Sequence, residues 1–289
     1  MKIALGTVQF GMDYGITNKQ GRTSKNEVKE ILAYANKNGI NILDTAPGYG
    51  DAEKVLGCFH NNEFEIITKT PHFNNPELTK KDIQFLTDTF NLSLKNLNVS
   101  KVYGLMIHNV LDCYKSGSDN LFSTLYRLKK EGFVQKVGVS VYTPEDIEML
   151  LNNFSFDIIQ FPLNILDQRI LEKGLIQELK SRDIEIYVRS AFLQGLLLES
   201  IEKIPKKFIE YVTPYFNEIE SQGLTKVESV LLFLNKIKEI DYVVLGVNNL
   251  SQLKRNMEAY NKIQHLEHSR IDFSKYAVNE LDIIDPRRW

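Results

Sequence analysis

The chain has 289 residues, is 43% hydrophobic and carries a formal net charge of -2. That near-neutral balance gives no basic footprint for nucleic acid or an anionic membrane, and no window approaches the ~18 apolar residues that a membrane span needs. Cys58 and Cys113 lie far apart in no metal-ligand spacing, and the apolar run at 3–5 is too short for a signal peptide, so the expectation is a cytoplasmic protein with free thiols.

Short β-branched runs alternate with longer amphipathic segments along the chain. The pattern predicts strands at 3–5, 41–43, 65–68, 102–107, 134–139, 157–160, 185–188 and 242–245. Between and after them, helices are predicted at 24–38, 51–59, 80–97, 120–131, 144–152, 166–181, 205–221, 226–238 and 250–262. The first of these opens with Ser24 and Glu27 in capping-box spacing and closes at Gly39. In the third, Ile83, Leu86, Phe90 and Leu94 recur at helical spacing and mark a buried face.

Eight strands, each followed by a helix, is the count of a (β/α)8 TIM barrel, here one α/β domain over 1–289. A doubly wound sheet would begin with a glycine-rich G-x-G-x-x-G turn. The first turn here reads GTVQFGMDYG instead, and GYGDAE at 48–53 matches only half of that pattern.

Barrels of this kind carry their chemistry at the C-terminal strand ends and on the loops that follow. Those positions hold Asp44, with Tyr49 on the following turn, then Lys69, His108, Ser140, Gln160, Arg189 and Ser190. Each has a plain structural reading, but an acid, a phenol, an ammonium and an imidazole at neighbouring strand ends suit carbonyl reduction. A free phenol, with a pKa of about 10, is a poor acid at neutral pH. A nearby ammonium lowers that value by an amount set by burial and distance. Asp44 would hold Lys69 charged, and His108 could orient a carbonyl. No G-x-S-x-G or H-E-x-x-H occurs, and His265 with His268 reads as an isolated surface pair, so hydrolytic and metal chemistry have no support and no metal ligands are assigned.

The motifs LGTVQFG at 5–11, DTAPGYGDAE at 44–53, TK at 68–69, IH at 107–108, GVS at 138–140, QFPLN at 160–164, SAFLQGLL at 190–197 and LGVNNLSQLKRN at 245–256 resemble the aldo/keto reductase family over nearly the whole chain. The resemblance implies a barrel that uses NADPH or NADH without metal. It implies Tyr49 as proton donor, Lys69 and Asp44 as its tuning pair and His108 as the carbonyl-orienting residue. Ser140 and Gln160 fall where the carboxamide of the nicotinamide is bound, and Arg189 where its ring face is covered. Gly6, Thr7, Ser190 and Gly195 are expected along the cofactor, and Gly246, Val247, Gln252, Arg255 and Asn256 around its adenosine.

Two departures stand out. Val141 replaces the asparagine that many members carry after GxS, and Gly246 and Gln252 stand where cations usually meet a 2′-phosphate, which leaves the choice between NADPH and NADH open. The loops 12–23 and 70–79 and the tail 271–289 are expected to rim the pocket, with Trp289 lining it or meeting a partner subunit. The start and end of the chain are similar to reductases of bacterial surface-polysaccharide pathways, which implies a sugar or nucleotide-sugar carbonyl as the small-molecule substrate. Alternatives with the same residues are a nicotinamide-binding regulatory module, as in potassium-channel β subunits, and a lyase or isomerase using the Tyr–Lys pair.

Overall fold

Eight parallel strands close into a barrel in chain order in the computed structural model, which describes residues 1–60, 63–265 and 271–289. The strands are β1 (Lys2–Gly6), β2 (Ile42–Asp44), β3 (Glu65–Lys69), β4 (Val102–Ile107), β5 (Val134–Ser140), β6 (Ile158–Pro162), β7 (Glu185–Arg189) and β8 (Tyr242–Gly246). The helices are α1 (Val8–Gly11), α2 (Lys25–Lys37), α3 (Ala52–Phe59), α4 (Lys80–Leu97), α5 (Ser118–Lys130), α6 (Pro144–Asn153), α7 (Leu175–Ser181), α8 (Lys206–Ser221), α9 (Lys226–Asn235), α10 (Leu250–Ile263) and α11 (Leu281–Ile284). The seam between β1 and β8 runs from Lys2 opposite Tyr242 to Gly6 opposite Gly246.

The strands read as continuous apolar runs because both of their faces are buried, as parallel sheets require. Inward-facing Ala4, Ile42, Ile67, Met106, Ile158, Tyr187 and Tyr242 pack as a plug inside the barrel, with the two tyrosine rings stacked at 4.7 Å. At the N-terminal strand ends, the Glu185 carboxylate accepts from Tyr103 at 2.9 Å and pairs with Lys136 at 2.8 Å, which closes the floor. Outward residues such as Leu5, Leu43 and Leu105 join the apolar faces of the helices in a second, larger core. On α4, Leu86 and Phe90 are buried and Ile83 and Leu94 pack against them, as the spacing predicts. Capping boxes start three helices: Thr79 with Asp82, Thr143 with Asp146, and Thr225 with Glu228. Among the described residues no helix is long and apolar enough to cross a membrane.

The differences from the sequence reading have local causes. The helix predicted at 166–181 is a loop with a 3-10 turn at Arg169–Leu171, and α7 starts only at Leu175. Asn164 is responsible: its side-chain oxygen accepts from the N–H groups of Leu166 (3.0 Å) and Asp167 (3.1 Å), an Asx turn that competes with helix. Ser24 does cap α2, accepting from Glu27 N–H, but the Glu27 carboxylate leaves for Leu250 N–H instead of closing the box. Trp289 packs edge-on against Phe208 at 4.9 Å and is not among the residues that line the cavity beside Tyr49. His265 is exposed, and His268 lies outside the described residues.

Candidate active site

β3 anchors the turn that bears Tyr49 on both sides. Lys69 Nζ donates to Asp44 Oδ1 at 2.7 Å and to the Thr45 carbonyl at 3.1 Å, before the turn. Its neighbour Thr68, facing the other side of the sheet, donates to buried Glu53 at 2.7 Å, after the turn. Between these ties Tyr49 N–H donates to the Ala46 carbonyl, and Gly50 takes a left-handed φ of 57°. The turn lies against Gly11: a Cβ built there would sit 1.8 Å from the Tyr49 carbonyl oxygen and 2.4 Å from Ala52 N. Gly11→Ala therefore forces the Tyr49 turn outward. We expect a stability loss of about 1–3 kcal/mol with a drop in kcat, read by thermal unfolding and steady-state rates.

The ammonium of Lys69 and the carboxylate of Asp44 are 1% and 6% exposed in their side chains. Burial pulls the Lys69 pKa down, but Asp44, then Tyr49, more than offset it, and the net direction is up. The second Asp44 oxygen accepts from Gln160 Nε2 at 2.8 Å, so one carboxylate holds both Lys69 and Gln160. Above the pair, Lys69 Nζ lies 5.2 Å from the centroid of the Tyr49 ring. Here the sequence expectation needs a correction. Burial raises the Tyr49 pKa, and the ammonium of Lys69 only reduces that rise, so in the free protein the phenol is above its ordinary value, not below it. Its proton is therefore in place at neutral pH.

His108, just after β4, meets Tyr49 edge-on at 5.7 Å and lies against the His72 ring, tilted by 33° with centroids 4.6 Å apart. Burial, with the charge of Lys69 and then His72 and Arg189, drives its pKa down to about 2. The imidazole is neutral at any working pH, and its Nδ1 is buried without a partner. This depressed value has a consequence for stability. An unfolded histidine titrates near 6.5, so between that pH and the folded pKa the unfolded chain binds more protons. Stability should be fully present above about pH 6.5 and fall on acidification below it. His108→Gln should flatten that slope in a series of unfolding midpoints against pH.

Tyr49, His108, Lys69 and Asp44 line one end of a cavity of about 1020 Å³. It continues past Gly6, Thr7, Ser140, Gln160, Arg189, Ser190 and Gly195 to Gly246, Gln252, Arg255 and Asn256. Every site residue drawn from the sequence lines this cavity except Val247, which is buried in the core at 1% exposure. Arg189 has one face of its guanidinium taken: its Cζ lies 4.1 Å from the Tyr142 ring centroid, and it donates to the Val141 carbonyl at 3.0 Å. From the tail, Arg287 approaches the same ring at 3.5 Å, while Asp285 grips its guanidinium at 2.6 Å. The tail thus reaches the rim through Tyr142 without lining it. The loop at 70–79 likewise does not line it but supports His108, with Thr70 Oγ1 accepting from His108 N–H at 3.1 Å and His72 against its ring, whereas Tyr14, Gly15, Thr17 and Asn18 of the first loop do line the cavity.

The donor set fits a nicotinamide dinucleotide. The cavity is long, mixed in polarity and floored by glycines at the β1–β8 seam. A Cβ on Gly246 would lie 2.7 Å from the Gln9 amide, so glycine is needed for the amide to sit there. Gln9 is 9% exposed, and its Oε1, like Asn248 Oδ1, is buried with no partner in the protein. Orphaned acceptors facing a cavity are open to donors from a ligand or from water. Among the described residues no cluster of metal-ligating side chains occurs.

The Aldo/keto reductase family model matches residues 2–274. The chain belongs to the aldo/keto reductase family. As a member it is an NAD(P)H-dependent oxidoreductase, with NADPH or NADH as cofactor. It is 23% identical over 260 residues to the uncharacterized oxidoreductase YqkF of Bacillus subtilis, covering 83% of this chain and 84% of that one. It is 25% identical over 200 residues to the NADH-specific methylglyoxal reductase of Escherichia coli, covering 60% and 59%. Its fold matches the holo form of aldo-keto reductase AKR11C1 from Bacillus halodurans at a TM-score of 0.75, with 18% identity over 100% of this chain and 95% of that one.

Several lining residues of this aldo/keto reductase escape sequence reasoning. Gln9 sits on the single-turn α1, too short to show a periodic pattern, and Tyr142 on the loop after β5; His72 does not line the cavity and reaches the site through its ring contact with His108. Gln9 falls inside the LGTVQFG motif, and a polar residue among apolar ones was the available signal.

Proposed function

We propose that this aldo/keto reductase reduces an aldehyde or ketone, with Tyr49 giving the proton and His108 holding the carbonyl oxygen. The observation that carries this is the stack of a buried, charged Lys69–Asp44 pair under a protonated phenol, beside an imidazole fixed in its neutral form. The cofactor, when bound, supplies the hydride. The chain's own residues do the rest. His108, neutral, donates a hydrogen bond to the substrate oxygen and polarises the carbonyl without giving up a proton. As negative charge grows on that oxygen, Tyr49 transfers its proton to it, and the resulting phenolate is stabilised by Lys69. Asp44 keeps Lys69 charged and, through Gln160, fixes the amide that with Ser140 faces the cofactor's carboxamide. Arg189 and Tyr142 form the adjacent wall.

The substrate we favour is a polar carbonyl, a sugar or nucleotide sugar, on the cationic and phenolic character of the wall formed by Arg189, Tyr142 and Tyr14. Methylglyoxal, the substrate in the name of the Escherichia coli relative, is the simplest comparison. The test is a panel of hydroxylated and plain carbonyls offered to the purified protein with NADH or NADPH, following cofactor oxidation. Turnover with hydroxylated substrates foremost supports the reading. Tight cofactor binding with no turnover on any carbonyl would sink it in favour of a regulatory module. Product formed without net cofactor oxidation would point to lyase or isomerase chemistry.

A further inference from the structure

The far end of the cavity lies between the start of α9 and the flank of α10, with Glu228 from the former and Asn248, Gln252, Arg255 and Asn256 from the latter region. A dinucleotide with its nicotinamide beside Tyr49 extends its adenosine into that end. Its charge decides whether the adenosine ribose can carry a 2′-phosphate.

Phosphate is received by free N–H groups at a helix N-terminus and by cations. At the start of α10 three of those donors are taken. Leu250 N–H donates to Glu27 Oε1 at 2.5 Å, Gln252 N–H to Asn249 Oδ1 at 2.9 Å, and Asn248 N–H to Gln252 Oε1 at 2.7 Å. The first acceptor is a carboxylate, so the positive end of the helix already carries an anion of the chain itself. Opposite, Glu228 is 6% exposed. Its Oε1 accepts from Lys262 at 2.8 Å and its Oε2 from Thr225 N–H at 2.9 Å. Lys262 is thereby committed. Lys226 turns to the Glu199 carbonyl and lies 3.6 Å from the Phe216 ring centroid. The cations at this end, Lys226, Arg255 and Lys262, are balanced by the carboxylates Glu199, Glu228 and Glu258. Meanwhile the orphaned Asn248 Oδ1 needs a donor, which a hydroxyl supplies and an ionised phosphate does not.

We infer that the adenosine end of this cavity accepts a ribose 2′-hydroxyl and rejects a 2′-phosphate, with Glu27 and Glu228 as the discriminating carboxylates, so that NADH is the cofactor the chain takes. The inference rests on the nicotinamide reading of the cavity, and binding measured without any carbonyl substrate tests it independently of turnover. Dissociation constants of NADH and NADPH for the full chain, by fluorescence or calorimetry, should favour NADH by about tenfold or more, because a 2′-phosphate would meet helix donors and cations that Glu27 and Glu228 already engage. Glu27→Ala frees the Leu250 N–H, and Glu228→Gln removes a charge while keeping the cap of α9. Each should tighten NADPH about fivefold or more and change NADH by less than about threefold. Equal or tighter binding of NADPH by the wild type overturns the inference, whether or not the variants fold. So does a preference that neither variant narrows, or one that inverts to NADPH through Arg255 and is lost in Arg255→Ala. Binding of neither cofactor would remove the nicotinamide reading, and this inference with it.

Discussion

Tyr49→Phe should reduce carbonyl reduction by about 10²–10⁴-fold, the usual contribution of a positioned general acid, while cofactor affinity stays within about twofold of wild type because the ring and its packing remain. The substitution removes one oxygen from a site otherwise intact, so a thermal midpoint near that of the wild type separates loss of chemistry from loss of fold. The pH dependence sharpens the test. Burial holds the Tyr49 phenol above its ordinary value even with Lys69 beside it, so the phenol keeps its proton throughout the neutral range. Reduction should show no fall with rising pH until the solution passes the ordinary phenol pKa of about 10. His108, pushed down to about 2, should add no inflection between mild acid and mild base. Full activity in Tyr49→Phe would assign the proton to another group, and His108 could not be that group in its neutral form.

Lys69→Met should damage both fold and chemistry. Asp44 would keep its bond from Gln160 but lose its counter-ion at a site where both side chains are almost wholly enclosed. Breaking a buried pair on one side costs about 3–5 kcal/mol, and each kcal/mol lowers the midpoint of a chain of this size by about 2–4 °C. Replacing both partners, Asp44→Asn with Lys69→Met, removes the stranded charge and should return much of the stability. It should not return the rate. Without the ammonium the phenolate formed in the reaction has lost its stabilising charge, and Tyr49 becomes a weaker acid still. A double variant that recovered both stability and rate would show that the pair serves the fold alone.

The barrel was legible because its signal is physical and local. Strands buried on both faces are largely apolar, so β4 and β8 stand out against the charged surface helices. Ionisable residues directly after such strands have few structural roles, which singled out Asp44, Lys69 and His108. What stayed hidden depends on contacts between distant segments. The sequence cannot show that Asn164 would spend its oxygen on the backbone of Leu166 and Asp167 and cancel a turn of helix. Nor does the spacing of Ser24 and Glu27 reveal that the carboxylate leaves its own helix for one that starts 223 residues later. The direction of the Tyr49 shift was hidden for a different reason. The sequence puts an ammonium near a phenol, but the balance between that charge and burial is set by the enclosure of both groups.

The seam between β1 and β8 joins residues separated by most of the chain, so among the strand pairings of the barrel its closure costs the most chain entropy. Gly6 and Gly246 face each other across it, and both line the cavity that we propose holds the cofactor. A dinucleotide laid over that line would act as a rivet across the costliest joint. It binds only the closed barrel, so it stabilises closure by an amount that grows with its concentration over its dissociation constant. Cleavage by added protease near either end of the chain should therefore slow as cofactor is raised. In the cell, the lifetime of this reductase would then follow the supply of the cofactor it consumes.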